Sequence, residues 1–98
     1  MKILLVEDEK RMAQALVEIL RQEKYEVEHC ADGLSGLDAV ESSIYDIIIL
    51  DVMLPGMDGF EIVKSARKKG IRTPVLMLTA KSELDDKVMG LTVAQTII

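Results

Sequence analysis

The sequence predicts an α/β domain built as a doubly wound parallel sheet. Three observations carry that expectation. Short apolar runs at Lys2–Val6, Ile47–Leu50 and Val75–Leu78 read as strands buried on both faces, as parallel sheets require. Amphipathic stretches at helical spacing lie between them. Turn and cap residues punctuate each change of period. The order is strand then helix, four times over, in 98 residues, enough for one domain around one core.

Lys2–Val6 forms the first strand. A helix follows from about Glu9 to Gln22, with Met12, Leu16, Ile19 and Leu20 at helical spacing and Ala13 and Val17 beside them. Tyr25–Cys30 alternates apolar and acidic residues, the pattern of a more exposed, edge-like strand. Asp32-Gly33 is turn chemistry. Leu34, Leu37 and Val40 mark a second helix that ends near Ser42-Ser43. Ile47–Leu50 is four apolar residues, three of them β-branched, and so a buried strand. Val52–Gly59 is a loop. Asp58 suits the N-cap of a third helix, Gly59–Lys69, with Phe60, Val63 and Ala66 inward. Gly70 ends it. Val75–Leu78 is the fourth strand. Ser82, with Asp85 three residues on, opens a fourth helix with Leu84 and Val88 inward and Gly90 at its end.

Composition narrows the function. The net charge is −5, with no concentrated basic patch, which argues against direct nucleic-acid binding by this chain. Arg67-Lys68-Lys69 and Arg72 read as the solvated end of a helix, where cations are favoured. Cys30 is the single cysteine, so no intrachain disulfide forms, and it reads as a small buried residue rather than a reactive thiol. His29 is the single histidine, and no partner stands at zinc-ligand spacing. The chain opens directly on a strand, without a signal peptide or a membrane-length apolar run. A reducing, cytoplasmic location is expected.

The chemistry lies at the strand ends. Glu7 and Asp8 follow the first strand, Asp51 the third, and Thr79 the fourth. Ligands of open parallel sheets bind beyond the carboxyl ends of the strands. Converging acids repel one another unless a cation joins them, and hard oxygen ligands suit Mg2+. Glu7 and Asp8 also suit capping of the first helix, and Thr79 is a common strand-end residue. Asp51 is harder to explain as a cap, because Asp58 is better placed. An aspartate carboxylate can act as a nucleophile toward phosphorus when a metal shields the anionic donor.

These residues resemble the receiver domain of bacterial two-component response regulators. The resemblance covers residues 1–91 and rests on Val6-Glu7-Asp8-Glu9, on Asp51-Val52-Met53-Leu54-Pro55-Gly56-Met57-Asp58-Gly59 and on Leu78-Thr79-Ala80. The middle motif looks most like receivers joined to winged-helix DNA-binding domains. The resemblance implies a flavodoxin-like sheet of order 2-1-3-4. It implies that Asp51 is the phosphoacceptor, and that Asp8, Asp51 and the Met53 carbonyl hold Mg2+, with Glu7 acting through water. It further implies that Thr79 is the switch hydroxyl and that a sensor histidine kinase is the donor. Such a domain is a signalling element rather than an enzyme.

The chain also departs from that family. Receivers carry a lysine before a proline at the end of a fifth strand, then a fifth helix; here the prolines are Pro55 and Pro74. Thr92–Ile98 is an uncharged tail outside the resemblance. The reading is therefore a receiver shortened at its C-terminal side, 1–91, with a non-family tail, 92–98, an impaired switch and no output domain. Rival readings are an inert metal-binding remnant, a decoy that binds a kinase or regulator, and, remotely, an aspartyl-nucleophile phosphatase. The phosphatase reading is weakened by Met53, which stands where such enzymes carry a second aspartate. Right-handed crossovers would put the first helix on one face and the others opposite, leaving the backs of strands three and four bare. The β-branched tail suits a substitute fifth strand, reached by a parallel crossover of about a dozen residues. A homodimer or higher oligomer through the incomplete side is expected.

Overall fold

Alternation along each strand sorts the apolar residues into two cores. A computed structural model of the chain describes residues 1–80 and 91–94. Its elements are β1 (Lys2–Val6), α1 (Lys10–Gln22), β2 (Glu26–Cys30), α2 (Gly33–Glu41), β3 (Ile47–Asp51), α3 (Gly59–Lys68), β4 (Val75–Ala80) and β5 (Leu91–Ala94). The sheet order is β2-β1-β3-β4-β5. The first four strands are parallel, as the resemblance implies, with Leu4 opposite Ile48 and Leu50 opposite Met77.

Leu4, Val6, Ile48, Leu50, Val75 and Met77 face α2 and α3, where Val40, Ile62, Val63 and Ala66 meet them. Ile3, Leu5, Ile49 and Leu78 face the other way and pack with Ala13, Leu16, Val17 and Leu20 of α1. Among the described residues, one helix thus covers one side and two helices the other, as right-handed crossovers demand. Completely buried branched side chains such as Leu4, Leu50 and Ile62 each contribute roughly 1.5–3 kcal/mol through loss of water contact.

Several expectations need correction. The inward face of α3 is Ile62, Val63 and Ala66, while Phe60 is 54% exposed. Ile19 and Leu34 are also exposed, so their helices turn slightly away from the phase expected for them. The backs of β3 and β4 are not bare, because Ile49 and Leu78 are buried in the α1-side core; Ile47 and Leu76 are half-buried. Arg67 is not merely solvated: its guanidinium donates to the carbonyls of Ile71 (2.7 Å) and Thr73 (2.9 Å), and so ties down the link from α3 to β4. Lys69 pairs with Glu41. Cys30 is half-buried.

Leu91–Ala94 enters the sheet, but β5 runs antiparallel to β4, with Leu78 opposite Val93 and Thr79 opposite Thr92. The expected parallel crossover is not what connects them. β4 consequently extends through Ala80, and Thr79 lies inside a strand rather than just past one. The expected fourth helix, with Leu84 and Val88, lies outside the described residues.

Candidate functional site

The parallel registers decide which side chains meet at the carboxyl edge of the sheet. Val6 pairs with Leu50, so the next residues on both strands, Glu7 and Asp51, emerge side by side. Oxygens of Glu7, Asp8 and Asp51 all lie within 4.8 Å of one another. The three acids expected at the site are therefore brought together.

Each is held differently. Glu7 is buried (5% exposed), and its Oε2 accepts the Glu9 N–H at 2.9 Å. Its backbone N–H donates to the Cys30 carbonyl at 3.0 Å, and its carbonyl accepts from His29 Nε2 at 2.7 Å. Asp8 is exposed at the mouth. It does not cap α1; Glu9 does, accepting from the N–H groups of Arg11 and Met12 at 3.0 and 3.1 Å. Asp51 ends β3, and its Oδ1 accepts the Met53 N–H at 3.3 Å. Met53 is 78% exposed.

The loop after Asp51 is fixed from two directions. Gly33 N–H donates to Pro55 O at 3.0 Å, which ties the loop to α2. Gly59 N–H donates to Val52 O at 2.8 Å. A Cβ at Gly59 would stand 2.5 Å from the Asp51 carbonyl oxygen, so only glycine permits this approach. Asp58 and Glu61 close a capping box over the same turn. Thr79 follows Leu78, the residue opposite Asp51, which puts its backbone one step beyond the acid along the neighbouring strand.

Electrostatics reflect the crowding. Burial is the main cause that raises the Glu7 carboxyl to about 7, and the charges of Asp51 and Asp8 add to it against the Glu9 hydrogen bond. Asp51 is raised too, again chiefly by burial and then by Asp8, while the Met53 N–H and the Glu7 carboxyl oppose the shift. Both shifts run in the direction that crowded, partly buried carboxyls require. Two groups, one beside the site and one at the amino end of the sheet, carried no sequence signal for a role. His29 sits in an alternating edge strand, and only the β1–β2 register brings it to Glu7. Tyr45 bonds Glu28 across the sheet, and its hydroxyl is pushed up to about 12, mainly by burial. Among the described residues no helix is long and apolar enough to cross a membrane.

Comparison with known proteins gives one consistent answer. Residues 3–96 match the family described as response regulator receiver domain. The transcriptional regulatory protein DltR of Streptococcus agalactiae is 43% identical over 91 residues, covering 93% of this chain and 41% of its own length. CiaR of Streptococcus pneumoniae is 47% identical over 89 residues, covering 91% and 39%. The chain spans about two-fifths of the length of these curated relatives. A Francisella response regulator receiver domain superposes with a TM-score of 0.78 at 31% identity, covering 91% of this chain and 74% of that one. The receiver domain of the Pseudomonas aeruginosa sensor kinase PA1611, solved with magnesium coordinated in its active-site cleft, gives 0.77 at 34% identity, covering 88% and 72%. TrrA of Thermotoga maritima, in complex with Mg2+ and BeF, gives 0.76 at 34%, covering 89% and 76%. Sheet order, strand-end acids and these likenesses converge: the chain belongs to the response regulator receiver domain family of two-component systems.

Proposed function

We propose that Asp51 is a phosphoacceptor charged by a sensor histidine kinase. Convergence of Glu7, Asp8 and Asp51 within 4.8 Å carries this reading. The donor set is all oxygen, and two of its members are held above their ordinary carboxyl range, so the site suits a hard divalent cation. Asp8, Asp51 and the Met53 carbonyl would hold Mg2+, with Glu7 acting through water. Bound there, the cation offsets the charge of the incoming phosphoryl group. An Asp51 oxygen attacks phosphorus, a P–O bond forms, and the P–N bond to the donor imidazole breaks with its electron pair passing to the ring nitrogen. The Thr79 hydroxyl would then turn toward the phosphoryl oxygens. The domain acts as a signalling element in the cytoplasm, over residues 1–91, and does not itself bind nucleic acid or membrane.

A second reading is favoured by one observation. Residues 80–98 hold no Lys-Pro pair, and β5 runs antiparallel to β4. A charge-assisted contact from a lysine to the phosphoryl group is one of the stronger kinds. A metal-binding remnant, or a decoy for a kinase, would fit a site that lacks it. Mass spectrometry after incubation with a small phosphodonor and Mg2+ separates the two. The expected result is an adduct on Asp51 that is less abundant than on an intact receiver run alongside, and absent in Asp51→Asn. No adduct at any donor concentration, despite a clear Mg2+ response, would favour the remnant.

A further inference from the structure

The Glu7 backbone is held on both sides by one strand. Its N–H donates to Cys30 O at 3.0 Å, and its carbonyl accepts from His29 Nε2 at 2.7 Å. A carbonyl only accepts, so the ring must donate from Nε2, which fixes the side of the imidazole turned toward β1. The bond lies just past the last rung of the β1–β2 ladder, Val6 opposite Cys30, where regular pairing stops and the chain turns toward α1. Nothing in the ladder fixes the Glu7 carbonyl there; the His29 ring does. That peptide group joins Glu7 to Asp8, so its orientation sets both carboxylates together. The ring stands in an open groove between α1 and β2, beside Lys10 and Gln14, with room for a different side chain.

We propose that His29 is a positioning residue for the acidic site, clamping the Glu7–Asp8 peptide so that both carboxylates face Asp51. The inference rests in part on the metal reading above. It also makes a prediction free of metal, because the Glu9 N–H donates to Glu7 Oε2 at 2.9 Å and so reports whether the Glu7 side chain is in place.

Three proteins decide it: the parent, His29→Val, which suits a strand but cannot donate, and His29→Gln, whose amide can. Hydrogen exchange of the Glu9 amide is read without metal, and Mg2+ alone is titrated while the Asp8 and Asp51 amides are followed. In His29→Val, Glu9 exchange should speed up and Mg2+ affinity should fall, each by roughly 2- to 10-fold, the range of one neutral hydrogen bond. His29→Gln should recover much of both. Core amides on β3 should exchange as in the parent, which a general loss of stability would not allow. Unchanged Glu9 exchange in His29→Val overturns the proposal, and so does a Gln variant as impaired as the Val variant. A parent that ignores Mg2+ would sink the metal reading, while Glu9 exchange would still decide the role of His29.

Discussion

Glu7 is the residue on which the site's pH behaviour turns. Its carboxyl is raised to about 7, first by burial and then by two neighbouring acids. A carboxyl raised in the folded state stabilises the fold at low pH, and that contribution fades as pH rises from about 4.5 toward 7. A divalent cation needs the ionised form, so metal binding must expel the proton. Mg2+ affinity should therefore weaken below about pH 7, approaching one proton displaced per ion, and level off above it. Calorimetric titration in buffers of different ionisation enthalpy would count that proton. In Glu7→Gln the pH dependence should largely vanish; if it persists undiminished, the proton sits elsewhere. Asp51 is raised in the same direction. Asp51→Asn should thus increase the thermal stability of the metal-free protein near neutral pH, and a lower melting temperature would contradict the repulsion argument.

Elements carry the geometry that these residues need. The turn from β3 into α3 works because Gly59 lets the helix start against the Asp51 carbonyl. Alanine is intrinsically better in a helix by about 1 kcal/mol, yet its Cβ would meet backbone at 2.5 Å. The clash should win: Gly59→Ala should destabilise by about 1–3 kcal/mol in urea unfolding and weaken Mg2+ binding. Asp58→Ala, which removes the cap, should cost about 1 kcal/mol and leave metal binding nearly intact. Element identity was legible in the sequence because buried parallel strands are short apolar runs and the cap at Asp58 stands where a helix begins; Asp32, read as a turn residue, proves to cap α2. Helix phase was less legible. Phe60, Val63 and Ala66 share a stripe, but Ile62, Val63 and Ala66 share one too, and only packing against Leu50 and Met77 selects between them. The acids were legible one strand at a time. The burial of Glu7 and the reach of His29 were not, since both depend on a neighbouring strand whose register no single segment encodes.

At the scale of the whole molecule the two sheet edges differ. β2 is guarded: Glu26 and Glu28 are exposed along it, and Arg21 of α1 donates to the Val27 carbonyl at 3.2 Å, so that carbonyl is already engaged. Charged residues and occupied backbone groups are how edges resist pairing with another chain. β5 is the opposite edge, and from Val88 to Ile98 the sequence holds no charge. A strand forms at Leu91–Ala94, and its antiparallel direction could not be read from composition, because β-branched residues suit either ladder. An uncharged edge strand can pair with its own copy about a two-fold axis, which closes the assembly at two. The half-buried Ile47 and Leu76 lie on the α1 side of the sheet interior to that edge. The 98-residue chain should therefore sediment as a dimer at high concentration. A version ending at Leu91, which removes most of β5, should shift it toward monomer while leaving the Mg2+ response of Asp8 and Asp51 unchanged. A parent that stays monomeric at millimolar concentration would remove the case for association, and a dimer indifferent to that deletion would move it away from β5.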